Sequence, residues 1–143
     1  MSGMIDITKA AEAAKGEDEG QLVHIRGVDG EELYYEKDGK QHPVTMTVAG
    51  TYSTIYRAAQ NRQRNALVKM RRAKLTGELV DNQQIELDAA CVLGWDGFTV
   101  GATPVPFNRE NAKQILISVP WIREQVEEAM NDHAGFTKSS SEN

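Results

Sequence analysis

QLVHIRGVDGEELYYEKDGKQHPVTMTVAG, residues 21 to 50, is the stretch that decides the fold. Two Asp-Gly pairs, Asp29-Gly30 and Asp38-Gly39, separate three segments in which apolar and polar residues alternate. Such pairs favour two-residue hairpin turns, because a type I′ turn needs positive φ at both central positions. In the third segment Val44, Met46 and Val48 point to one side and Thr45 and Thr47 to the other, and Val23 and Ile25 repeat the pattern in the first. One face of the sheet is therefore buried and the other wet. Pro43 has no amide to donate and belongs near a strand start or an edge. The stretch predicts a three-stranded antiparallel β-meander.

A meander of this size needs helices over its apolar face, and the chain downstream supplies about four. Ser53 is placed as an N-cap. No proline or glycine then interrupts Thr54 to Thr76, where Ile55, Ala59, Ala66, Met70 and Ala73 return to one helical face. Such a helix is about 35 Å long at 1.5 Å per residue, and Gly77 ends it. A second helix is expected from near Asp81, with Gln84 at the capping-box position and an apolar stripe of Ile85, Ala89, Val92 and Leu93. Gly94 suits its C-terminal end. Asn108 reads as the N-cap of a third helix carrying Ala112, Ile115, Leu116 and Val119. Pro120 suits the first turn of a fourth, which turns Trp121, Ile122, Val126, Ala129 and Met130 inward.

The expected class is thus α+β, a meander over 21–50 followed by helices over 53–136, in one domain spanning 21–136. Residues 1–20 read as a flexible acidic arm, because the run AAEAAK lacks a broad apolar face. The polar stretch TKSSSEN, residues 137–143, is expected to be disordered.

Length and composition agree. A chain of 143 residues suits one domain and can bury roughly two-thirds of its unfolded surface without disulfides or a metal. The single Cys91 forms neither a disulfide framework nor a thiol-rich metal site, and a reducing cytosolic setting is the simplest reading. Net charge is −5, which argues against a protein devoted to nucleic acid. No apolar run approaches the roughly 18 residues of a membrane span, and the N-terminus lacks the pattern of a secretory signal.

Between the second and third helices lies GWDGFTVGATPVPFNREN, residues 94 to 111. Long connections without structure of their own are uncommon in compact domains, and this one is apolar, with Trp95, Phe98, Val100, Val105 and Phe107. Its aromatics either pack as a lid over the helix junction, Phe107 acting as a staple on the third helix, or leave Phe98 to Val105 exposed for a partner.

Motifs for bond-making chemistry are missing: no G-x-S-x-G, no P-loop, no G-x-G-x-x-G. His24, His42 and His133 have no ligand-like neighbours at metal spacing, and Asp132-His133 reads as a solvated helix end. No catalytic residue, cofactor or metal is expected. Charge, by contrast, is segregated. Arg57, Arg62, Arg64, Lys69, Arg71, Arg72 and Lys74 occupy one stretch without an acid, whereas residues 1 to 38 hold ten acids against four bases. Three readings stand: a phosphate-binding helix, a solvated face offset by the acidic arm, or a contact between one subunit's arm and its neighbour's basic helix.

Three stretches, GWDGF at 94 to 98, VPFNREN at 105 to 111 and VPWIREQV at 119 to 126, resemble the tail assembly chaperones of long-tailed (siphovirus-type) bacteriophages. The similarity extends to Phe136 and, in outline, to the Asp-Gly hairpins, the Gly50 to Ser53 turn and the long helix. The basic helix and a loop with no acid between Asp96 and Glu110 depart from that family. The resemblance implies a non-enzymatic helper that binds and solubilises the tape measure protein until tail-tube subunits replace it. It also implies self-association, action in the host cell cytoplasm and absence from the mature virion. Helix-in-groove binding supplies a mechanism, and many weak copies along one chain act together. Trp95, Phe98, Phe107 and Trp121 are the candidate partner-binding residues, and Arg57, Arg62, Arg64, Arg71 and Arg72 the candidate subunit or charge contacts. The alternatives are a structural virion component, such as a head–tail joining or tail-completion subunit, and a nucleic-acid-binding regulator using residues 57 to 74.

Overall fold

The computed structural model describes residues 4–69 and 77–141, with side chains described to Thr137. It begins with a helix where the sequence suggested a loose arm. Helix α1 (Ile7–Glu19) is capped by Asp6, whose side chain accepts from the amides of Thr8 and Lys9. Gly20 ends it at φ +85°, a conformation that L side chains rarely adopt. The arm is ordered because its last turn is buried: Glu17 is 3% exposed and its carbonyl accepts from the amide of Gly50.

Strand β1 (Gln21–His24) follows, then the hairpin of β2 (Tyr34–Lys37) and β3 (Lys40–Pro43), then β4 (Thr45–Val48). Asp38 and Gly39 both take positive φ, +55° and +74°, so the second Asp-Gly pair forms the turn the sequence predicts. The first does not. Only Gly30 is positive there, and the connection is a three-residue loop closed by Gly30 N–H on Gly27 C=O and Gly27 N–H on Glu31 C=O.

The three expected segments do run antiparallel, and they meet where Ile25, Leu33 and Val44 exchange backbone hydrogen bonds. The ladder differs from a simple meander, however. Residues 40–48 bend at Val44, so that β3 pairs with β2 while β4 pairs with β1, Gln21 opposite Val48 and His24 opposite Thr45. The main sheet has the order β1-β4-β5, and β5 (Val92–Asp96) comes from residues expected to end a helix. Strand β4 is buried along nearly its whole length, which calls for a partner on both edges. Val92, Gly94, Trp95 and Asp96 supply the second, with Leu93 bulged out of the ladder.

Ser53 caps α2 (Thr54–Lys69) as expected, its hydroxyl accepting from Tyr56 N–H. Of the predicted apolar face, Ala59 is buried and Ile55 half-buried, but Ala66 is exposed; Met70, Ala73 and the expected end at Thr76 lie outside the described residues. Helix α3 (Gly77–Cys91) begins earlier than Asp81, and Gln84 donates to Asp88 rather than closing a capping box. A short hairpin, β6 (Thr99–Val100) with β7 (Thr103–Pro104), gives the 94–111 connection structure of its own. Helix α4 (Arg109–Ser118) is capped by Asn108 and α5 (Pro120–Met130) opens on its proline, both as predicted. A sixth helix, α6 (His133–Ser141), occupies much of the expected tail, anchored by the fully buried Phe136.

The protein is therefore mixed α and β, with antiparallel sheets and, among the described residues, six helices instead of about four. The two additional helices are α1 and α6, which pack on each other. Ile25, Met46, Val48, Leu116 and Val126 form the centre of the core between sheet and helices. No described helix is long and apolar enough to cross a membrane.

Candidate functional site

Strand β5 and the hairpin after it hold the aromatic residues that the sequence singles out. Trp95 lies opposite Met46 in the ladder and its indole N–H donates to Val105 C=O at 2.9 Å. That bond ties the returning limb of the loop to the sheet. Phe98 and Phe107 both meet the indole edge-to-face, with ring centroids 5.7 and 4.9 Å away, the offset geometry aromatic pairs prefer. Gly97 permits the turn between them. It adopts φ +94°, and a Cβ there would come 2.8 Å from the ring of Tyr35, whose hydroxyl donates to Asp96 at 2.6 Å. That bond to Asp96, with burial and the nearby charge, raises the Tyr35 pKa.

The loop divides between the two readings: residues 99–104 are exposed, as the partner reading has them, but Phe107, expected to pack as a staple, is exposed as well. Trp95 is half-buried against the core, while Phe107 remains 46% exposed. Beneath the β6–β7 hairpin, against α4 and the start of α5, lies a cavity of about 320 Å³. Phe98, Val100, Val105, Ile115, Val119 and Ile122 give it apolar walls, and Asn111, Gln114 and Ser118 line it along α4. Val100 is 75% exposed at its edge. An apolar trough with a polar flank is the complement of an amphipathic helix.

Three of the four predicted partner-binding residues therefore come together. Trp121 does not join them. It stands 38% exposed on the first turn of α5, where its carbonyl accepts from Gln125 Nε2. Of the basic residues, Arg57, Arg62 and Arg64 are exposed on α2, with Arg62 beside Arg109 and Glu86 at a small surface cavity. Arg71 and Arg72 lie outside the described residues. The acidic arm meets the basic helix within the same chain: Asp18 accepts from the amide and hydroxyl of Thr54, both at 2.7 Å. Acids at a helix N-terminus are favoured by its dipole.

Sequence reasoning missed two polar clusters. His133 is not a solvated helix end. Its Nδ1 faces the Glu17 carboxylate at 3.0 Å, and Tyr52 stacks on its ring at 3.7 Å. Asp88, Arg123 and Glu127 meet between α3 and α5. Burial pushes the Asp88 carboxyl up to about 8, with Glu127 adding to the shift and Gln84 and Arg123 opposing it. Cys91 is fully buried, and burial followed by the nearby Asp88 pushes its thiol up to about 12, so it is unreactive at neutral pH.

A family model described as YdaY prophage protein matches residues 51–143, a span that includes the whole aromatic loop and groove. The chain belongs to this family. It is accordingly a phage-derived protein. No curated protein and no solved structure matches it. The YdaY match covers α2 through α6, so the groove-forming half of the molecule carries the family relationship.

Proposed function

We propose that this prophage-family protein is a non-enzymatic tail assembly chaperone that holds amphipathic helical segments of the tape measure protein in the groove beneath the β6–β7 hairpin. The groove carries the reading: its walls are largely apolar, Asn111, Gln114 and Ser118 add a polar flank beside Ile115 on α4, and exposed Val100 and Phe107 extend the apolar surface outward. Burial of the partner's apolar stripe supplies the driving force at roughly 25 cal/mol per Å². Each contact is weak alone, and repetition along a long helical client makes the coat adhere through effective concentration. In this reading the protein acts in the host cytoplasm and self-associates along the client. Tail-tube subunits then displace it, and it is absent from the mature virion.

Co-expression with the longest helical protein encoded nearby tests this. The expected result is a higher soluble yield of that protein and co-purification of the two. Unchanged yield with no co-purification overturns the proposal. Detection of the chain as a stoichiometric component of purified particles would instead make it a structural virion subunit.

A further inference from the structure

Away from the groove, a second trough of about 240 Å³ runs between β1 and α5. Strand β1 is an edge of the main sheet, paired only with β4. Along an antiparallel strand, successive residues turn their backbone groups to opposite sides. Ile25 N–H donates to Val44 C=O, so Gln21, Val23 and Ile25 serve the β4 side, while Leu22, His24 and Arg26 face outward. Gln125, 8% exposed, already answers Arg26. Its Oε1 accepts from Arg26 N–H and its Nε2 donates to Arg26 C=O, both at 2.7 Å. A side-chain amide thus stands where the backbone of a further antiparallel strand would stand, exchanging both bonds with one residue. Among the described residues nothing comparable meets the outward N–H and C=O of Leu22 and His24. An edge of this kind is a ready template for another chain.

The opposite wall is one face of α5, formed by Gln125, Glu128, Ala129 and Asp132. Ala129 is small, and Gln21 Nε2 donates to its carbonyl at 3.0 Å, joining strand and helix at the far end. Glu128 and Asp132 are exposed one helical turn apart, and neither enters an ion pair among the described residues. Asp132 uses Oδ1 on the amide of Gly135 at 3.1 Å, which leaves Oδ2 and the whole Glu128 carboxylate for a ligand. The trough therefore combines an open strand edge with an acidic flank.

We propose that this trough binds an extended segment of a partner protein, which adds antiparallel to the free edge of β1 and directs a lysine or arginine at Glu128 and Asp132. Leu22 and His24 each exchange both backbone hydrogen bonds with one ligand residue, continuing the pattern that Gln125 sets at Arg26. The ligand residue between those two lies opposite Val23, and its side chain points to the α5 side, as that of Val23 does. That is the position for the basic residue. Its two neighbours share the outer face with Leu22, which is 68% exposed, and β-branched apolar residues suit them. Backbone bonds supply affinity and the alternating side chains supply specificity, as in other strand-addition sites. A second copy of this chain fits less well, because pairing β1 with its own counterpart brings the two acidic flanks together. The site is separate from the β6–β7 groove and does not rest on the chaperone reading.

Amide NMR of the full chain tests it with three blocked peptides: acetyl-Thr-Val-Lys-Val-Thr-amide, the same with glutamate in place of lysine, and the lysine peptide N-methylated at both valines. With the first, the amides of Leu22 and His24 should move downfield in a saturable way and exchange severalfold more slowly with solvent. The glutamate peptide should bind severalfold more weakly, and the N-methylated peptide, which has lost the donors for β1, should not bind. Glu128→Lys, at an exposed position, should reverse the preference between the lysine and glutamate peptides. Leu22→Pro removes an amide that β4 does not use and should weaken binding severalfold. Should Leu22→Pro fail to fold, Glu128→Lys and the N-methylated peptide carry the test. No saturable shift to about 10 mM peptide, shifts centred away from residues 21–26 and 125–132, or equal binding of any two of the peptides overturns the proposal. So does a dimer of the free chain that Leu22→Pro dissociates, since the edge would then belong to a second copy.

Discussion

Glu17 shows how a residue can contradict the segment that contains it. Its neighbours are small or charged, yet it is 3% exposed, because Tyr52 N–H and His133 Nδ1 both point at its carboxylate. Nothing along the chain announces this, since its partner His133 is 116 residues away. Gly50 makes the arrangement possible: a Cβ there would overlap Glu17 Oε1 and lie 2.9 Å from Phe136. Gly50→Ala should therefore lower unfolding free energy by about 1–3 kcal/mol, the usual range for overpacking, as read from urea midpoints. Asp88 gives a prediction of opposite character. Its folded pKa is raised from 3.8 to about 8, so the folded state holds more protons than the unfolded state between those values. Stability then falls as pH rises from about 4 to about 8, and is fully diminished above that window. Asp88→Asn removes this dependence. The stability difference between variant and parent should shift in the variant's favour from pH 5 to about pH 8.5, and an unchanged difference would mean that Asp88 does not titrate there.

At the scale of elements, what the sequence makes legible is what local chemistry fixes. Asp38-Gly39 turns the chain because its own backbone preferences suffice. Ser53, Asn108 and Pro120 mark helix starts because caps and N1 prolines act within one turn. Helix α6 and strand β5 were illegible for the converse reason. TKSSS has little helical preference of its own, and the helix begins on Phe136's burial rather than on propensity. Val92 and Leu93 continue the apolar stripe of α3, so a helix reading is natural until β4 needs a second edge partner. The aromatic loop was half legible. Its composition left packing and exposure as alternatives; the structure half-buries Trp95 as the lid reading has it, but leaves Phe107, the expected staple, 46% exposed, because it packs on the edge of Trp95 at the loop rim. Two substitutions separate these roles. Leu116→Ala, at a position 1% exposed in the core, should cost about 2–5 kcal/mol. Phe107→Ala, 46% exposed on the loop rim, should cost about 1 kcal/mol or less. Denaturant unfolding of the two side by side checks the ordering, and an equal loss would make Phe107 a core residue.

For the whole molecule, the acidic arm and the basic helix partly answer each other inside one chain, since Asp18 binds the first turn of α2. That contact is to the amide and hydroxyl of Thr54 rather than to a basic side chain, and the exposed apolar groove is the surface that the proposed chaperone role requires. That surface can be altered without disturbing the fold. Val100 is 75% exposed at the groove edge, so Val100→Asp should change stability by no more than about 0.5 kcal/mol. A carboxylate placed there would have to be desolvated against an incoming apolar helix, at a cost of about 1–3 kcal/mol. Val68, 85% exposed on α2 and away from the groove, provides the matched control. On co-expression with the helical client, Val100→Asp should lower soluble client yield severalfold while Val68→Asp leaves it unchanged. Equal yields from both variants and the parent would separate the groove from client binding. Equal losses from both would show that surface charge on this protein, and not the groove, governs the association.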